Sequence, residues 1–372
     1  MAARPGRARA DHILHVLGAL LLFGKAGAAV GERGFSLVSW NILAPTFAPP
    51  RRYPWAPADV LSWSSRGPRI ADALRLMDAD VVCLQEVEVG LWDGFFTQLV
   101  DIGYDAILQK TEGNHPYANA VLYRKGQFRC LRSESRSRVL ITVLEAVEGA
   151  PQGADPLYLA NVHLEAGAEK ASQRFCQLKS LLRRLELQRA CDVAESQGRP
   201  RALSPSEDAA GAAVVLAGDF NFDRRSALHQ LLSTGALPIG PGQAAYGEPA
   251  AMVRRGSTAY SHSLLPLKEV YEACSPPWGP PLRSSYRNGR LLDFIWYSES
   301  VDCLRAMPVA PEAGSQQPHR IPSKVHPSDH LPVGALLSWE GAPRVRTTAS
   351  SWQQMCVESV VSSRATKRPR RR

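Results

Sequence analysis

Several features are missing from this sequence, and each absence excludes a class of protein. No uninterrupted apolar run reaches the roughly 18 residues of a membrane-spanning helix. The seven cysteines are scattered without a Cys-x-x-Cys pair, so we expect neither a zinc site nor a disulfide framework, and a reducing compartment is favoured. No internal repeat is present. With 372 residues, 45% of them hydrophobic, the chain can bury a sizeable core as one large α/β domain or two small ones.

The central part of the chain also lacks net charge, although the whole chain carries +9. Five basic and two acidic residues give residues 1–34 a charge of +3, and six basic residues without an acid give residues 362–372 a charge of +6. The residues between these segments are therefore neutral. A long RNA-binding track needs clustered Lys and Arg side chains, so this neutrality weakens the case for one.

The two ends carry patterns of their own. Three arginines precede an apolar run at residues 13–23 and then small residues, which is typical of a signal peptide. An Arg-rich organellar presequence and an amphipathic helix are the alternatives. The basic run at residues 367–372 predicts a nuclear-localisation signal or a polyanion-binding arm, with a solvated disordered tail as the other interpretation. We expect a cytoplasmic or nuclear protein, with organellar or secretory targeting by residues 1–29 left open.

These compositions predict three parts of the chain. Residues 1–34 are a targeting or disordered segment, residues 35–340 form one folded domain, and residues 341–372 are a basic tail. The stretch at about 195–211 is rich in Ser, Pro, Ala and Gly and is too poor in apolar residues to be a domain. We predict that it forms a surface insertion.

Hydrophobic periodicity predicts strands and helices in alternation, which is typical of an α/β fold. Strands are expected at residues 35–43, 80–86, 104–109, 118–123, 139–147, 157–164, 212–217, 291–297 and 333–339. Helices are expected at residues 64–77, capped by Ser64 or Ser65, and at 91–100, 169–189 and 226–232. Residues 238–257 are rich in loop formers.

Polar side chains stand at the ends of many of these strands. They are Asn41, Glu86, His163, Asp219 with Asn221, Asp293 just inside its strand, and the Pro327-to-Pro332 segment with Asp329 and His330. A buried polar group is costly unless it has partners. We therefore expect these strand ends to meet in one place.

Amide and carboxylate oxygens such as those of Asn41 and Glu86 are hard ligands of the kind that Mg²⁺ takes. Each residue alone is more often a turn residue or a solvated acid. Strand alternation would send Asp219 and Asn221 to one side, where both can touch one water or oxyanion. An Asx turn after a buried strand is the alternative.

Asp293 lies between apolar neighbours and must pair, and His330 is its natural partner. A carboxylate that holds one ring nitrogen orients an imidazole for proton transfer or phosphate contact. A structural Asp–His pair in the core is the simpler interpretation. His163 alone would more often be a satisfied core histidine, but several weak signals on one face are stronger than any single one.

Taken in order, six motifs resemble the endonuclease/exonuclease/phosphatase superfamily over nearly all of residues 35–340. They are Ser-Trp-Asn-Ile-Leu-Ala at 39–44, Leu-Gln-Glu-Val at 84–87, Asn-Val-His-Leu at 161–164, Gly-Asp-Phe-Asn at 218–221, Leu-Asp-Phe-Ile at 292–295 and Pro-Ser-Asp-His-Leu-Pro at 327–332. Asn41 to Ala44, Leu-Ser-Trp at 61–63 with Arg66, and the helix after His163 are similar to carbon-catabolite-repressor-type deadenylases and nocturnin.

The resemblance implies a four-layer α/β sandwich, with two packed mixed β-sheets flanked by helices as in DNase I. It also implies Mg²⁺-dependent hydrolysis of a phosphate ester, with Mn²⁺ able to substitute. Carried over by position, Glu86 would be the principal metal ligand with Asn41 beside it, and Asp329 would serve a second metal position.

The same resemblance assigns roles in the reaction. Asp219 would activate the attacking water, and Asn221 would hold that water or the phosphate. His330, oriented by Asp293, would stabilise charge on the phosphoryl oxygens, and His163 would touch the scissile phosphate. Positioning and charge neutralisation are the usual means of catalysing such reactions.

The resemblance implies a 3′-5′ exoribonuclease of the poly(A)-specific deadenylase type, acting in mRNA decay. The alternatives are a nocturnin-like phosphatase of NADP, another small metabolite or a lipid headgroup, and a non-enzymatic binding protein. Phe222 stands where the family usually has Ser. The deadenylases place an aromatic residue a few positions before the Asp that matches Asp293, to stack on adenine. Residues 286–290 of this chain offer only Tyr286 or an arginine for that contact. We expect no leucine-rich-repeat docking region ahead of the domain. These departures leave the substrate open between RNA and a small metabolite.

Overall fold

The apolar segments form two six-stranded β-sheets that pack face to face. This arrangement is seen in a computed structural model of the chain. The model describes residues 34–111, 113, 115–147, 156–198, 212–238, 259–274, 283–285, 289–307, 320–324 and 326–340. None of the helices in these ranges is long and apolar enough to cross a membrane.

The elements are numbered in chain order. The strands are β1 (Phe35–Asn41), β2 (Val81–Glu88), β3 (Tyr104–Leu108), β4 (Tyr117–Arg124), β5 (Phe128–Arg136), β6 (Val139–Ala146), β7 (Leu157–His163), β8 (Val214–Asp219), β9 (Ala236–Pro238), β10 (Ala259–Ser261), β11 (Lys268–Glu269), β12 (Asp293–Tyr297), β13 (Val301–Ala306) and β14 (Val333–Trp339). The helices are α1 (Ala58–Leu61), α2 (Trp63–Met77), α3 (Trp92–Val100), α4 (Ala171–Ser196), α5 (Ala227–Thr234) and α6 (Val270–Ala273).

Each sheet contains one parallel pair, and these pairs decide where polar residues meet. The first sheet has the order β13-β14-β1-β2-β4-β3, in which β1 and β2 are parallel. The second has the order β11-β12-β8-β7-β6-β5, in which β7 and β8 are parallel. Parallel strands end at the same edge, so Asn41 lies opposite Gln85 and His163 lies opposite Asp219.

The antiparallel neighbours of these pairs begin where the parallel strands end. Strand β12 runs against β8, so Asp293 lies opposite Asp219. Strand β14 runs against β1, so its first residue, Val333, lies opposite Ser39. The polar segment that precedes β14 therefore lies beyond the end of β1, at the same edge.

Apolar side chains fill the space between the sheets and cover their outer faces. Leu37, Leu159 and Ile295 belong to the cluster between the sheets. Helices α2 and α3 cover the outer face of the first sheet, and α4 and α5 cover that of the second. The predicted α/β sandwich of four layers, with two mixed sheets flanked by helices, is confirmed.

Some boundaries differ from the sequence predictions. Helix α2 begins at Trp63 with Ser62 at its N-cap position, rather than at Ser64 or Ser65. Helix α4 continues to Ser196 and includes the start of the stretch expected to be an insertion. The rest of that stretch from residue 199, the loop-rich residues 239–257 and both chain ends lie outside the described residues.

The sequence patterns missed strands β5 and β13. In β5, exposed and half-buried side chains alternate because the strand lies at the edge of its sheet. Strand β13 is also an edge strand with partly exposed residues. Neither presents the apolar run by which buried strands are recognised.

Asn161 joins the two sheets through buried hydrogen bonds. Its side-chain amide on β7 donates to the carbonyl of Leu84 at 2.9 Å and to that of Ala120 at 2.8 Å. Its Oδ1 accepts from Gln85 Nε2 at 2.8 Å. The bonds lie beside a register shift in β2 between Leu84 and Val87, so Asn161 holds the first sheet where its ladder is irregular.

We expect Asn161→Ala to lower the free energy of unfolding by about 2–3 kcal/mol, because it leaves buried amide and carbonyl groups without partners. Urea denaturation of purified protein measures this loss. Thr142→Val is the matched control, since the hydroxyl of Thr142 is equally buried but its one hydrogen bond is long, at 3.5 Å. Equal stability changes in the two variants would contradict the role of Asn161.

Candidate active site

Asn41 and Glu86 lie in contact at the edge shared by the two sheets. The side-chain amide of Asn41 donates to Glu86 Oε1 at 3.1 Å and to Asp219 Oδ2 at 3.2 Å. Glu86 Oε2 accepts from the backbone amide of Ala44 at 3.0 Å. Glu86 does not end its strand as expected but lies inside β2 at the register shift, with a φ of 57°. This bulge directs its carboxylate towards the other acids.

Asp219 and His163 come from the parallel pair of the second sheet. His163 Nε2 lies 3.8 Å from both Glu86 Oε1 and Asp219 Oδ2. Asp219 Oδ1 accepts a hydrogen bond from the backbone amide of Asn221 at 3.0 Å. The side-chain amide of Asn221 donates to the carbonyl of Leu164 at 2.9 Å. The two sheets therefore bring these polar groups together.

The strand alternation expected to send Asp219 and Asn221 to one side is not present, so that prediction was wrong. Strand alternation stops at Asp219, and Asn221 adopts a φ of 53°. The hydrogen bond from the backbone amide of Asn221 to the Asp219 carboxylate is that of an Asx turn. An Asx turn was the alternative interpretation of this sequence motif. The turn keeps Asn221 next to His163 through Leu164, so the turn and the site coexist.

His330 and Asp293 form the pair expected from the sequence. His330 Nδ1 donates to Asp293 Oδ2 at 2.8 Å, and its Nε2 lies 3.8 Å from Asp219 Oδ2. The hydroxyl of Ser284 also donates to Asp293 Oδ2, at 2.5 Å. Trp40 Nε1 donates to the carbonyl of His330 at 2.9 Å and so fixes its backbone.

Asp329 lies beside this pair and is held by residues that the sequence did not identify. The hydroxyl of Tyr53 donates to Asp329 Oδ2 at 2.7 Å. Arg66, which is fully buried, donates to the carbonyls of Leu61, Ile42 and Pro327. Burial lowers the pKa of Arg66 to about 10, so it stays charged near Asp329 and Glu86. It adds a fixed positive charge beneath the acids.

Sequence patterns missed most of the supporting residues because nothing in their neighbourhood marks them. Tyr53 lies in a loop of prolines and aromatics, and Ser284 follows a stretch with no regular pattern. Arg66 appeared only as part of the resemblance to one branch of the superfamily. The short polar segment before β14 did give a signal, since Ser328 donates to the carbonyl of Asn41 at 2.6 Å.

Burial and mutual repulsion disturb the titration of these groups. Burial, with Asp329 next in importance, raises the pKa of Glu86 above its ordinary value. Burial and the charge of Asp293 raise the pKa of Asp219 in the same way. Burial would lower the pKa of His330, but the carboxylates of Asp293 and Asp219 raise it well above its ordinary value. These carboxylates favour the protonated ring of His330, whereas burial and Arg138 lower the pKa of His163 to about 3 and favour its neutral ring.

The donor set fits a divalent cation. Carboxylate oxygens of Asp219 and Asp293 lie within 4.8 Å of each other and of a ring nitrogen of His330. Glu86 and Asn41 supply further oxygen donors beside them. Asp293 Oδ1 is buried without a hydrogen-bond partner. Buried carboxylates with raised pKa values and an unpaired oxygen are stabilised by a nearby cation, and oxygen donors suit Mg²⁺ or Mn²⁺.

Two departures from the family pattern have a structural explanation. Phe222 is buried against Phe220 and Phe294, so it belongs to the core rather than to the site. Arg290, in the stretch expected to stack on a base, instead donates twice to Asp223 Oδ2, at 3.0 and 2.7 Å. Tyr286 lies outside the described residues.

A sequence-family model described as "Endonuclease/Exonuclease/phosphatase family" matches residues 38–330 of this chain. The chain belongs to this family. Members of the family hydrolyse phosphoric esters and generally depend on a divalent metal ion, and the acidic and histidine side chains above provide a possible site for one.

Curated relatives lie in the branch that the motifs indicated. The CCR4-Not complex 3′-5′-exoribonuclease subunit Ccr4 of Saccharomyces cerevisiae is 22% identical over 82% of this chain and 38% of its own length. Nocturnin of Xenopus laevis is 24% identical over 84% of this chain and 74% of its own length. Carbon catabolite repressor protein 4 homolog 4 of Arabidopsis thaliana is 26% identical over 81% and 76%. The chain thus spans less than half of the Ccr4 subunit.

Solved structures share the fold. ANGEL2, a 2′,3′-cyclic phosphatase in complex with adenosine-2′,3′-vanadate, superposes with a TM-score of 0.66 at 22% identity, over 82% of this chain and 96% of that one. The human nocturnin catalytic domain with bound sulfate superposes with a TM-score of 0.52 at 20% identity, over 83% and 96%.

We expect Mg²⁺ or Mn²⁺ to raise the melting temperature of the wild-type protein and Glu86→Gln to abolish this increase, because the variant lacks the central carboxylate. Thermal denaturation with and without the ion measures the effect. Glu88→Gln is the control, since Glu88 lies two residues further along β2 and hydrogen-bonds to Thr46. An increase that persists in Glu86→Gln would contradict the proposed ligand.

We also expect the affinity for the cation to fall as the pH is lowered from about 8 to about 5. Glu86, whose pKa is raised, takes up a proton as the pH falls and can then no longer ligate. Protonation of Asp219, whose pKa is about 7, removes a negative charge beside the cation. Calorimetric titration with Mg²⁺ at several pH values measures the affinity. A constant affinity across this range would show that neither Asp219 nor Glu86 takes part.

Proposed function

We propose that this chain is a Mg²⁺-dependent phosphodiesterase, and more specifically a 3′-5′ exoribonuclease of the deadenylase type. The observation that carries the proposal is the convergence of Glu86, Asp219, Asp293 and His330 from both sheets at one edge. We further propose that residues 35–340 form the catalytic domain, between an N-terminal targeting or disordered segment and a basic C-terminal tail.

Asp219 is the proposed general base. Its Oδ2 lies between the amide of Asn41 and the two imidazole Nε2 atoms, so a water molecule at this point has a proton acceptor and several fixed neighbours. Its raised pKa makes it a better proton acceptor than an ordinary carboxylate. Asn221, fixed by its turn, would hold the water or a phosphate oxygen.

His330 is the proposed site of charge stabilisation on the phosphoryl group. Its ring is held by Asp293 at Nδ1 and leaves Nε2 to donate to an oxyanion. Neutral His163, whose Nε2 lies 3.8 Å from Asp219 Oδ2, would donate a hydrogen bond to the scissile phosphate. Negative charge that develops in the transition state would thus meet donors already in place.

Glu86 and Asn41, with Asp329 at a second position, would hold the metal ion. When bound, Mg²⁺ supplies positive charge that polarises the phosphate and neutralises the leaving oxygen. Tyr53 and Arg66 would keep Asp329 in place.

The exoribonuclease proposal is supported by the relatives, since several curated matches are named as Ccr4 3′-5′-exoribonuclease subunits. Location in the cytoplasm or nucleus, where such an activity in mRNA decay would be used, is part of this proposal.

A second candidate is a phosphatase of a small phosphorylated metabolite, such as NADP or a nucleoside cyclic phosphate. It is favoured by the charge around the site. The guanidinium of Arg138 is paired with Glu165, and that of Arg290 is paired with Asp223. Arginines already paired with acids offer less to a long phosphate backbone, and the chain between its ends is neutral. ANGEL2, which shares the fold, was solved with an adenosine-2′,3′-vanadate ligand.

Product analysis on four substrates decides between these functions. We would incubate the protein and Mg²⁺ with 3′-adenylated RNA, RNA without adenines, RNA ending in a 2′,3′-cyclic phosphate, and NADP. Stepwise release of AMP from the first substrate alone is expected for a deadenylase. Orthophosphate from NADP, or opening of the cyclic phosphate without shortening of the RNA, would identify a metabolite or end-group phosphatase.

We expect Asp219→Asn to reduce turnover of the preferred substrate at least about 100-fold, because the general base is lost while the shape of the side chain is kept. Asp223→Asn is the matched control, since Asp223 lies four residues further along and binds Arg290. Steady-state kinetics on both variants measure the effect. Turnover by Asp219→Asn within a few-fold of wild type would remove the proposed mechanism.

A further inference from the structure

Two cysteines meet at the joint between the edges of the two sheets. Cys274 directly follows α6, which continues from edge strand β11 of the second sheet. Cys303 lies in β13, the edge strand of the first sheet. Cys274 Sγ donates to the backbone carbonyl of Cys303 at 2.8 Å. Two thiols that are 29 positions apart in sequence are therefore neighbours in the fold.

Surrounding contacts hold the two backbones in this position. The backbone amide of Gly334 in β14 donates to the hydroxyl of Tyr271 in α6 at 3.1 Å. Glu269, just before α6, accepts from the backbone amide of Tyr271 at 3.0 Å and from Arg224 at 2.5 Å. A disulfide spans Cα atoms about 4.4–6.8 Å apart. The contact of the Cys274 thiol with the Cys303 carbonyl shows that the two residues adjoin in the fold.

The neighbouring Cys274 thiol and burial raise the pKa of the Cys303 thiol above its ordinary value. Attack by Cys303 on a mixed disulfide at Cys274 therefore requires that Cys303 first loses its proton. Both side chains are partly exposed, so a small reagent can reach them, whereas Cys83 is fully buried.

We propose that Cys274 and Cys303 form a reversible disulfide when the protein meets a small-molecule disulfide such as oxidised glutathione. The thiolate of Cys274 attacks one sulfur of the reagent, a mixed disulfide forms and one glutathione thiolate leaves. The thiol of Cys303 then loses its proton and attacks Cys274 Sγ, and the second glutathione leaves as a thiolate. The two protein thiols are oxidised, and one oxidised glutathione is reduced to two reduced molecules.

The bond would fasten α6 to β13, and so the edge of one sheet to the edge of the other. It closes a loop in the unfolded chain and would restrict the unfolded ensemble. Neither cysteine contacts the acids of the candidate active site among the described contacts. The bond is therefore expected to change stability rather than the chemistry of the site.

The test uses the full chain, incubated with oxidised glutathione and then acidified to stop thiol–disulfide exchange before mass analysis. We expect the intact mass to fall by about 2 Da, from loss of two hydrogens, and a peptide map to contain Cys274 linked to Cys303. The melting temperature of this form should rise by about 5 °C, and dithiothreitol should reverse both changes.

Cys274→Ser and Cys303→Ser should each lose the linked peptide and the gain in melting temperature. Cys176→Ser, which removes an exposed cysteine on α4, should behave as wild type. The wild-type peptide map alone is decisive if a variant folds poorly. A stable glutathione adduct on Cys274 without the cross-link, or Cys274 linked to another cysteine, would overturn the proposal.

Discussion

Like charges are buried together at the edge where the two sheets meet, and much of the local structure can be understood as support for them. Glu86, Asp219 and Asp293 would repel one another and take up protons if nothing held them. Asn41 donates to two of them, and His330 balances the third. The pKa values of Glu86 and Asp219 remain raised. This unrelieved charge is what makes the cluster suited to a cation and to phosphoryl chemistry.

The supporting bonds come from backbone irregularities and from buried polar groups below the acids. Glu86 lies in a bulge and Asn221 has a left-handed backbone conformation, so the chain departs from regular strand geometry at two residues of the candidate site. The side chains of Asn161 and Gln85 hydrogen-bond to each other, and Asn161 also donates to a backbone carbonyl across the two sheets. Arg66 ties the end of β1 to the segment before His330. Such networks rigidify a site because each member would be costly to leave unpaired.

The floor of the site (Glu86, Asp219, Asp293 and His330) differs in charge balance from its rim (Arg138 and Arg290). This difference bears on substrate choice. On the floor, donors and acceptors are arranged around a charge that is not balanced. On the rim, Arg138 and Arg290 are balanced by Glu165 and Asp223. Arg138 and Arg290 therefore offer little unpaired positive charge to the rest of a polyanionic substrate.

The sequence by itself determined the α/β layers and the polar residues at the strand ends, because apolar periodicity and isolated acids leave a local pattern. It did not reveal β5 or β13, since edge strands are half-exposed and lack that pattern. It placed Glu86 at the end of a strand rather than in a bulge. Only the tertiary structure decided that Tyr53 holds Asp329, that Ser284 holds Asp293 and that Phe222 faces the core. These contacts join residues far apart in the chain or depend on which way a turn directs a side chain, and no local pattern specifies either.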